Sequence, residues 1–287
     1  MLKTDFRLPP TDLVNPGFKR MLDEFPAKQR REIMPIGIDP DGKIIFKKIS
    51  DLEDILVGGT TSTGKTNFLN SIICSILMKH KPTETKLVLI DTKGCEFTSY
   101  KDIPHLLTPI VEEPEHASKV MHSLITGAIN RKKIFDKNKV ETFDEYNDLV
   151  RKEKRRNPKT TMEHLPNIIL VIDDYALISS LGNRMLIEDL LRVNNYTGIH
   201  VICGTSIPRD EVISTKMREY FYSRVSFHFV EDKDIKFILS SRQNHQVDGK
   251  NNYIFKTNTG KYYNLNNIYL DDKEITSIVD FLKYSNK

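Results

Sequence analysis

One glycine-rich stretch constrains this chain more than any other part of the sequence. The segment ILVGGTTSTGKTNFL (Ile55–Leu69) passes from an apolar run into a loop of glycines and threonines, and then into a lysine and a second apolar pattern. Within it, the residues from Gly59 to Thr66 fit the pattern G-x-x-x-x-G-K-[ST]. The run before the loop predicts a buried strand, and the apolar residues at helical spacing after Lys65 predict a helix.

The physical requirements of a bound triphosphate explain this pattern. Glycines allow successive backbone N–H groups to point inward and to form a concave anion site at the start of a helix. Lys65 supplies a positive charge for the β- and γ-phosphates, and the Thr66 hydroxyl is a ligand for Mg²⁺. A polar turn that fits the pattern by chance would not need the strand and the helix predicted on either side. We therefore predict a nucleotide site formed by Gly59, Thr60, Thr61, Ser62, Thr63, Gly64, Lys65, Thr66 and Asn67.

An acidic pair follows a second predicted strand, in the segment NIILVIDD (Asn167–Asp174). A phosphate-binding loop of this kind needs a carboxylate at the end of a neighbouring strand to position Mg²⁺, and usually a second one to orient the attacking water. We predict that Asp173 acts on the metal side, together with Thr66, and that Asp174 acts on the water side. The alternative is that the two aspartates cap a helix, which is a common role for Asp after a strand.

Alternating strand-like and helix-like segments indicate the fold class. Strands predicted at Lys86–Lys93, Asn167–Ile178 and Gly198–Ser206 are separated by helices predicted at Pro114–Lys137 and Arg184–Val193. This alternation is typical of an α/β fold with a mainly parallel sheet flanked by helices.

The first part of the chain differs in composition from the rest. Residues 1–33 are rich in proline and charge and contain one short amphipathic segment, Phe18–Phe25. We interpret residues 1–33 as a leader or linker and assign residues 34–287 to one domain that closes with a helix at Lys273–Tyr284. The most basic segment, Arg151–Thr160, precedes no apolar pattern and is predicted to be a solvated loop.

Composition narrows the class of protein further. The net charge of +4 permits a polyanionic partner without requiring one. Three cysteines in no CxxC pair argue against a disulfide scaffold and favour a reducing compartment. The sequence has neither an apolar signal segment nor a run long enough to span a bilayer. We expect a cytoplasmic protein, or the soluble part of an assembly that is tethered by other means.

Several further motifs resemble those of the FtsK/SpoIIIE family of DNA translocases. The segment IDTKGCEFTSYKDIPHLLTPIVEEPEHA (Ile90–Ala117) is similar to the family's I-D-P-K and I-P-H-L-L-T-P-V-V sequences. GIHVICGTSIPRDEVIST (Gly198–Thr215) resembles G-I-H-L-x-x-A-T-Q-R-P-x-x-x-V-I-T, and SRVSF (Ser223–Phe227) resembles T-R-I-x-F. The resemblance runs in register from about Met34 to Leu270.

This resemblance implies a RecA-like P-loop NTPase core that assembles as a ring, usually a hexamer, around double-stranded DNA. ATP and Mg²⁺ would be bound by one subunit, and an arginine of its neighbour, at the motif position of Arg224, would complete the site. The alternative for Arg224 is an edge-strand arginine paired with a surface acid. Phosphate contacts to DNA would come from basic residues near the matched motifs, with Lys137, Lys139, Lys236 and Arg242 as candidates.

The sequence departs from the family at positions that matter for turnover. The family's second acidic residue is Glu, whereas Asp174 is one methylene shorter. The glutamine and arginine of T-Q-R-P are replaced by Ser206, which takes the sensor position, and by Ile207. These departures favour retained ATP binding with slow hydrolysis. They also leave open a weakly hydrolysing, nucleotide-gated assembly ATPase of the secretion or conjugation type, whose partner is a protein. A small-molecule kinase shares only the phosphate-binding loop.

Overall fold

A mixed sheet forms the centre of the fold. The computed structural model describes residues 6–26, 32–242, 245–247 and 249–286. The strands in these residues are β1 (Ile33–Ile38), β2 (Ile44–Lys48), β3 (Ile55–Gly58), β4 (Thr85–Ile90), β5 (Asn167–Ile172), β6 (Ile199–Thr205), β7 (Ser223–Ser226), β8 (Asn252–Lys256) and β9 (Tyr262–Asn266). Their order across the sheet is β2-β1-β9-β8-β7-β3-β6-β5-β4.

The parallel part of the sheet is the part that the sequence predicts. Strands β7, β3, β6, β5 and β4 are neighbours in that order and pair in parallel. Strands β8, β9, β1 and β2 extend the sheet with antiparallel pairs. Val, Ile and Leu form most of β3, β4 and β5 because helices cover both faces of these strands. The predicted α/β fold with a mainly parallel sheet is confirmed.

Helices cover the sheet on two sides. They are α1 (Pro16–Asp23), α2 (Ile49–Leu52), α3 (Lys65–Lys79), α4 (Pro114–Asn138), α5 (Phe143–Arg156), α6 (Leu181–Val193), α7 (Thr215–Tyr220), α8 (Asp232–Leu239) and α9 (Asp272–Tyr284). Buried residues of α1, α3 and α9 form one core cluster with Ile55 and Val57 of β3. Buried residues of α4, α6, α7 and α8 form a second cluster with Leu56 of the same strand. Because alternate residues of a strand point to opposite faces, the sheet separates two hydrophobic cores.

Local sequence signals explain where helices α4 and α9 begin. Pro114 is the first residue of α4, a position where its missing N–H costs nothing. At the start of α9, the Asp271 side chain and the Glu274 side chain cap each other's backbone N–H groups. Both helices agree with the ranges predicted from the sequence, Pro114–Lys137 and Lys273–Tyr284.

The prediction of a loop at Arg151–Thr160 is wrong for the first six of these residues, because α5 continues to Arg156. Tyr146 and Val150 of this helix are buried against Phe135 of α4, so the hydrophobic contact that stabilises α5 lies before the basic run. The basic side chains occupy the last turn of the helix, where positive charge interacts favourably with the helix dipole.

The described part of the predicted leader packs against the rest of the chain. Phe18 and Met21 of α1 are fully buried and belong to the same core cluster as α3. Asn15 caps α1 by accepting a hydrogen bond from the backbone N–H of Phe18. Residues 1–5 and 27–31 of the predicted leader lie outside the described residues, and the domain boundary after residue 33 stays a prediction. Within the described chain, no helix combines the length and the apolar character needed to cross a membrane.

Candidate nucleotide-binding site

The loop between β3 and α3 has the shape that its glycines predict. Gly64, just before α3, has a φ of 116°, which is left-handed backbone that favours glycine. A Cβ at Gly59 would lie 2.7 Å from the Cβ of Phe227, so glycine is also required there. Within the described residues no side chain caps the start of α3. The first N–H groups of this helix are therefore available to an anion.

The predicted lysine and acidic residue meet at this loop. Lys65 is buried, and its Nζ lies 2.9 Å from the backbone oxygen of Asp173 and 3.7 Å from Asp173 Oδ1. The Thr66 hydroxyl donates a hydrogen bond of 3.1 Å to the same Oδ1. Asp173 directly follows β5, which is separated from β3 only by β6. Since these strands are parallel, their carboxyl ends bring residues from both segments to one edge of the sheet.

A second lysine at the site was not predicted. Lys93 lies in the turn after β4, and its Nζ is 2.9 Å from Asp173 Oδ2 and 3.7 Å from Asp174 Oδ2. Partial burial lowers the pKa of Lys93, but the hydrogen bond to Asp173 and the charges of both aspartates outweigh that effect and raise it. The available signal was its position three residues after a buried strand that ends at the same edge of the sheet.

Asp174 and Ser206 are also brought together. Ser206 donates to Asp174 twice, through its hydroxyl at 2.6 Å from Oδ2 and through its backbone N–H at 3.1 Å from Oδ1. The Asp174 side chain additionally caps the short 3₁₀ helix Tyr175–Ile178 by accepting from the N–H of Ala176. The capping role considered for this residue is thus present, and its role toward water stays a prediction.

Arg224 is buried within its own chain. Its side chain donates to the backbone oxygens of Phe221 at 2.8 Å and Ile238 at 3.4 Å, and to the Ser240 hydroxyl. Burial lowers the pKa of Arg224 to about 10. The ion pair with a surface acid, considered as an alternative, is not found among the described residues. A role toward a neighbouring subunit stays a prediction, and it requires the side chain to leave these partners.

The four residues predicted to contact DNA lie on or just after α4 and α8, two helices that pack in the same core cluster. Lys137 and Lys139 are exposed at the end of α4, where Lys139 follows the helix in a left-handed conformation. Lys236 is half-buried on α8, and Arg242 is exposed just after that helix. Their contact with DNA stays a prediction.

Hydrogen bonds of three asparagines join the phosphate-binding loop to the carboxyl-terminal segments. Asn67 was predicted as part of the loop, whereas Asn251 and Asn267 were not predicted. Asn267 Nδ2 donates to the backbone oxygen of Gly64 at 3.1 Å, and the Asn251 N–H donates to the backbone oxygen of Thr63 at 3.0 Å. Asn67 Nδ2 donates to the Leu270 backbone oxygen at 3.1 Å. The residues that flank the β8–β9 hairpin therefore bind the backbone of the phosphate-binding loop at Thr63 and Gly64.

The donor set fits a magnesium ion. The Thr66 hydroxyl and the Asp173 carboxylate supply oxygen ligands, which Mg²⁺ prefers. Asp173 is almost fully buried, yet two ammonium groups approach its carboxylate, so the surroundings of Asp173 are arranged for positive charge. Among the described residues, no group of three or more His, Cys, Asp or Glu residues suggests another metal site.

The site consists of a glycine-rich loop between a strand and a helix, a buried lysine, and an aspartate that follows the next strand but one. This combination defines a P-loop nucleotide-binding protein. Residues 18–243 match the model of the FtsK/SpoIIIE family. This match covers well over half of the chain, so the protein belongs to the FtsK/SpoIIIE family, as its motifs predict. ATP binding follows from membership of this family of P-loop ATPases.

Similar curated proteins carry the same family name. The chain is 30% identical to the DNA translocase FtsK of Rickettsia typhi over 290 residues, covering 91% of this chain and 39% of that protein. It is 30% identical to the DNA translocase FtsK of Halalkalibacterium halodurans over 272 residues, covering 92% of this chain and 34% of that protein. The chain therefore spans less than two fifths of the length of these relatives.

Solved structures share the fold. The pCW3 conjugation coupling protein TcpA, in its monomer form with ATPgS, aligns with a TM-score of 0.73 at 20% identity, over 90% of this chain and 72% of that one. The cytoplasmic domain of the type VII secretion ATPase EccC of Thermomonospora curvata aligns with a TM-score of 0.72 at 18% identity, over 96% of this chain and 33% of that one. At these identities the likeness is evidence for the fold alone.

Proposed function

We propose that this chain is an ATP-dependent motor that translocates double-stranded DNA and hydrolyses Mg·ATP at the interfaces between its subunits. The convergence of Lys65, Thr66 and Asp173 at one edge of the sheet carries the proposal, together with family membership. The relatives named DNA translocase FtsK support DNA as the substrate of movement.

In the proposed mechanism, the loop N–H groups and Lys65 bind the phosphates, and Thr66 and Asp173 would hold Mg²⁺. When bound, the ion would neutralise phosphate charge as the terminal phosphoryl group leaves. Asp174 orients the attacking water and accepts its proton. Because Oδ1 of Asp174 accepts from two N–H groups and Oδ2 accepts from the Ser206 hydroxyl, the attacking water must use the acceptor site of Oδ2 that these bonds leave open. This requirement supports slow hydrolysis.

The proposed motor is a hexameric ring in which Arg224 of one subunit completes the site of the next. DNA passes through the ring and contacts Lys137, Lys139, Lys236 and Arg242. Such contacts neutralise phosphates, so binding should weaken as salt rises and should depend little on sequence.

The rate of ATP hydrolysis with and without linear duplex DNA tests the proposal. We expect DNA to stimulate hydrolysis at low salt and to lose this effect at high salt. Lys65→Ala should abolish both rates. The double variant Lys137→Ala/Lys139→Ala should respond less to DNA, whereas Lys261→Ala, which changes an exposed lysine of the β8–β9 turn, should respond normally. An unstimulated rate at low salt would count against a DNA motor.

A second candidate function is a nucleotide-gated assembly ATPase of the secretion or conjugation type that acts on a protein. Its support is the shortened acid, Asp174, and its tight pairing with Ser206 at the family's sensor position. Ile207, at the position of the family's arginine, is 41% exposed and offers an apolar contact in place of a charge. Three results together would favour this candidate over a DNA motor: the chain binds ATP, it does not retain DNA, and Asp174→Glu leaves turnover unchanged.

A further inference from the structure

A large cavity lies at the opposite edge of the sheet from the nucleotide loop. It has a volume of about 1100 Å³ and is lined by residues at the amino ends of β3, β4, β5 and β6. Asp54 on its wall directly precedes β3, and Gly59 of the phosphate-binding loop directly follows that strand. The cavity is therefore separate from the nucleotide site, and the proposed function does not use it.

The rim of this cavity carries unpaired negative charge. Asp51 of α2, Glu53 after it and Asp144 of α5 all line the cavity. None of the three forms an ion pair within the described chain. Partial burial and the nearby charge of Glu32 raise the pKa of Asp144, although Lys48 opposes this effect.

The four basic residues of the described lining offset this charge only in part, because Lys48 and Arg151 act on Asp144 but eight acidic residues of the same lining surround the cavity. Arg151 is occupied by an ion pair with Asp148 on the same helix. The Lys86 ammonium donates to the backbone oxygen of Pro104 at 2.9 Å, and burial lowers its pKa. The rim is thus unfavourable for the phosphates of DNA and favourable for a cation.

Two buried polar side chains on the cavity wall are not fully compensated. Asp54 is 2% exposed, and within the described residues it accepts hydrogen bonds only from neutral donors, the Asn194 amide at 2.9 Å and 3.0 Å and the backbone N–H of Val201. Asn194, also 2% exposed, directs its Nδ2 to Asp54 and to the backbone oxygen of Ile199. Its Oδ1 has no hydrogen-bond partner among the described residues.

A buried carboxylate without a cation is costly, and burial raises the pKa of Asp54 to about 7. An unpartnered amide oxygen beside it calls for a further N–H donor. A guanidinium group meets both needs, because it carries a permanent charge and five N–H donors in one plane.

We propose that this cavity binds an arginine-containing basic segment of a partner protein. One guanidinium approaches Asp54 and Asn194, whose buried side chains must shift to meet it, and neighbouring cationic side chains lie against Asp51 and Asp144. The size of the cavity supports a peptide rather than a single amino acid, since about 300 Å³ already suffices for a small ligand. This inference goes beyond the nucleotide-dependent function and does not rest on it.

Calorimetry with a short peptide of alternating arginine and serine tests the inference on the full chain at low salt. We expect the wild type to bind the peptide and to ignore the matched peptide in which citrulline, uncharged and of similar shape, replaces arginine. Asp51→Asn/Asp144→Asn should weaken binding roughly tenfold or more, in the range expected for lost charge pairs at an interface. Asp54→Asn should weaken it as well.

The control double variant is Asp41→Asn/Asp280→Asn, which removes two exposed carboxylates that do not line the cavity and should bind as the wild type does. Hydrogen exchange should slow on peptide binding in residues 48–54 and 142–151. Absence of binding by the arginine peptide, equal affinities of the two double variants, or protection elsewhere would overturn the inference. Spermine is a cation that is not a peptide. If it binds as tightly as the arginine peptide and is equally weakened by Asp51→Asn/Asp144→Asn, the assignment to a protein segment is overturned.

Discussion

The ammonium group of Lys93 lies between the two aspartates that follow β5, at 2.9 Å from Asp173 Oδ2 and 3.7 Å from Asp174 Oδ2. Lys65 approaches the other oxygen of Asp173 at 3.7 Å. The acidic pair is therefore balanced by two lysines of the same chain. A metal ion that binds to Asp173 must compete with Lys93 for Oδ2 or make it move.

Replacement of Lys93 by methionine should increase the affinity of the nucleotide-free protein for a divalent cation. Without the ammonium, two nearby carboxylates are left with less compensating positive charge, so a cation gains attraction at short range. Electron paramagnetic resonance of added Mn²⁺ measures this affinity without any ATP turnover. Lys101→Met is the matched control, since Lys101 pairs with Glu112 on the surface at 2.8 Å. Equal Mn²⁺ affinity in both variants would argue against competition by Lys93.

Single residues at the site differ in how well the sequence predicts them. Lys65 and Thr66 belong to a fixed pattern, and Asp173 ends a clearly apolar strand, so all three could be predicted to meet. Lys93 has no comparable pattern. Its role becomes visible only when β4 is seen to lie beside β5, which places the turn after β4 against the acidic pair.

Among the elements, the β8–β9 hairpin has a direct link to the nucleotide loop. Asn267, which follows β9, donates to the backbone oxygen of Gly64 at 3.1 Å. Gly64 and Asn267 are 203 residues apart in sequence, so no local pattern could reveal the contact. The hairpin limits the freedom of a loop that must hold several N–H groups in one orientation.

The variant Asn267→Ala should weaken ATP binding without unfolding the chain. Loss of one hydrogen bond costs about 1 kcal/mol, which corresponds to roughly fivefold in affinity if the loop must be reordered on binding. Asn264→Ala is the matched control, because Asn264 is an exposed residue of β9 with no such contact. Calorimetric Kd values for Mg·ATP compare the two. Identical values would mean that the hairpin does not support the loop.

The end of helix α5 could not be predicted from amino-acid composition. The run of basic residues from Arg151 predicts a loop, yet α5 passes through it and ends at Arg156. Its hydrophobic residues, Tyr146 and Val150, precede the run and pack on α4. A helix anchored at its start can extend into solvent with charged residues, and the sequence pattern of the extension alone does not reveal this.

Across the whole molecule, the two edges of the parallel sheet have different electrostatic character. At the carboxyl edge Lys65 and Lys93 balance the acidic pair, and the loop N–H groups at the start of α3 favour phosphates. The amino edge carries Asp51, Asp54 and Asp144 around a cavity and favours cations. Strand β3 separates them by four residues, or about 13 Å, so a nucleotide and a basic segment can be bound at the same time.

The overall α/β class followed from the alternation of strands and helices, but the full sheet did not. Its antiparallel extension places β9 between β8 and β1, and thereby joins the two ends of the chain. Asn15 near one end donates to the Tyr269 backbone oxygen near the other at 3.0 Å. Such long-range pairing depends on tertiary packing, which local propensity does not encode.

Titration calorimetry of Mg·ATP on the intact chain, compared with Lys65→Ala, examines whether this loop binds a nucleotide. We expect one nucleotide per chain for the wild type. Lys65→Ala should bind roughly tenfold more weakly or worse, because it removes the buried charge that faces the phosphates. Lys261→Ala, on the β8–β9 turn, should bind as the wild type does. If the wild type gives no heat of binding, or if Lys65→Ala binds equally well, the assignment of this loop as a nucleotide site is wrong.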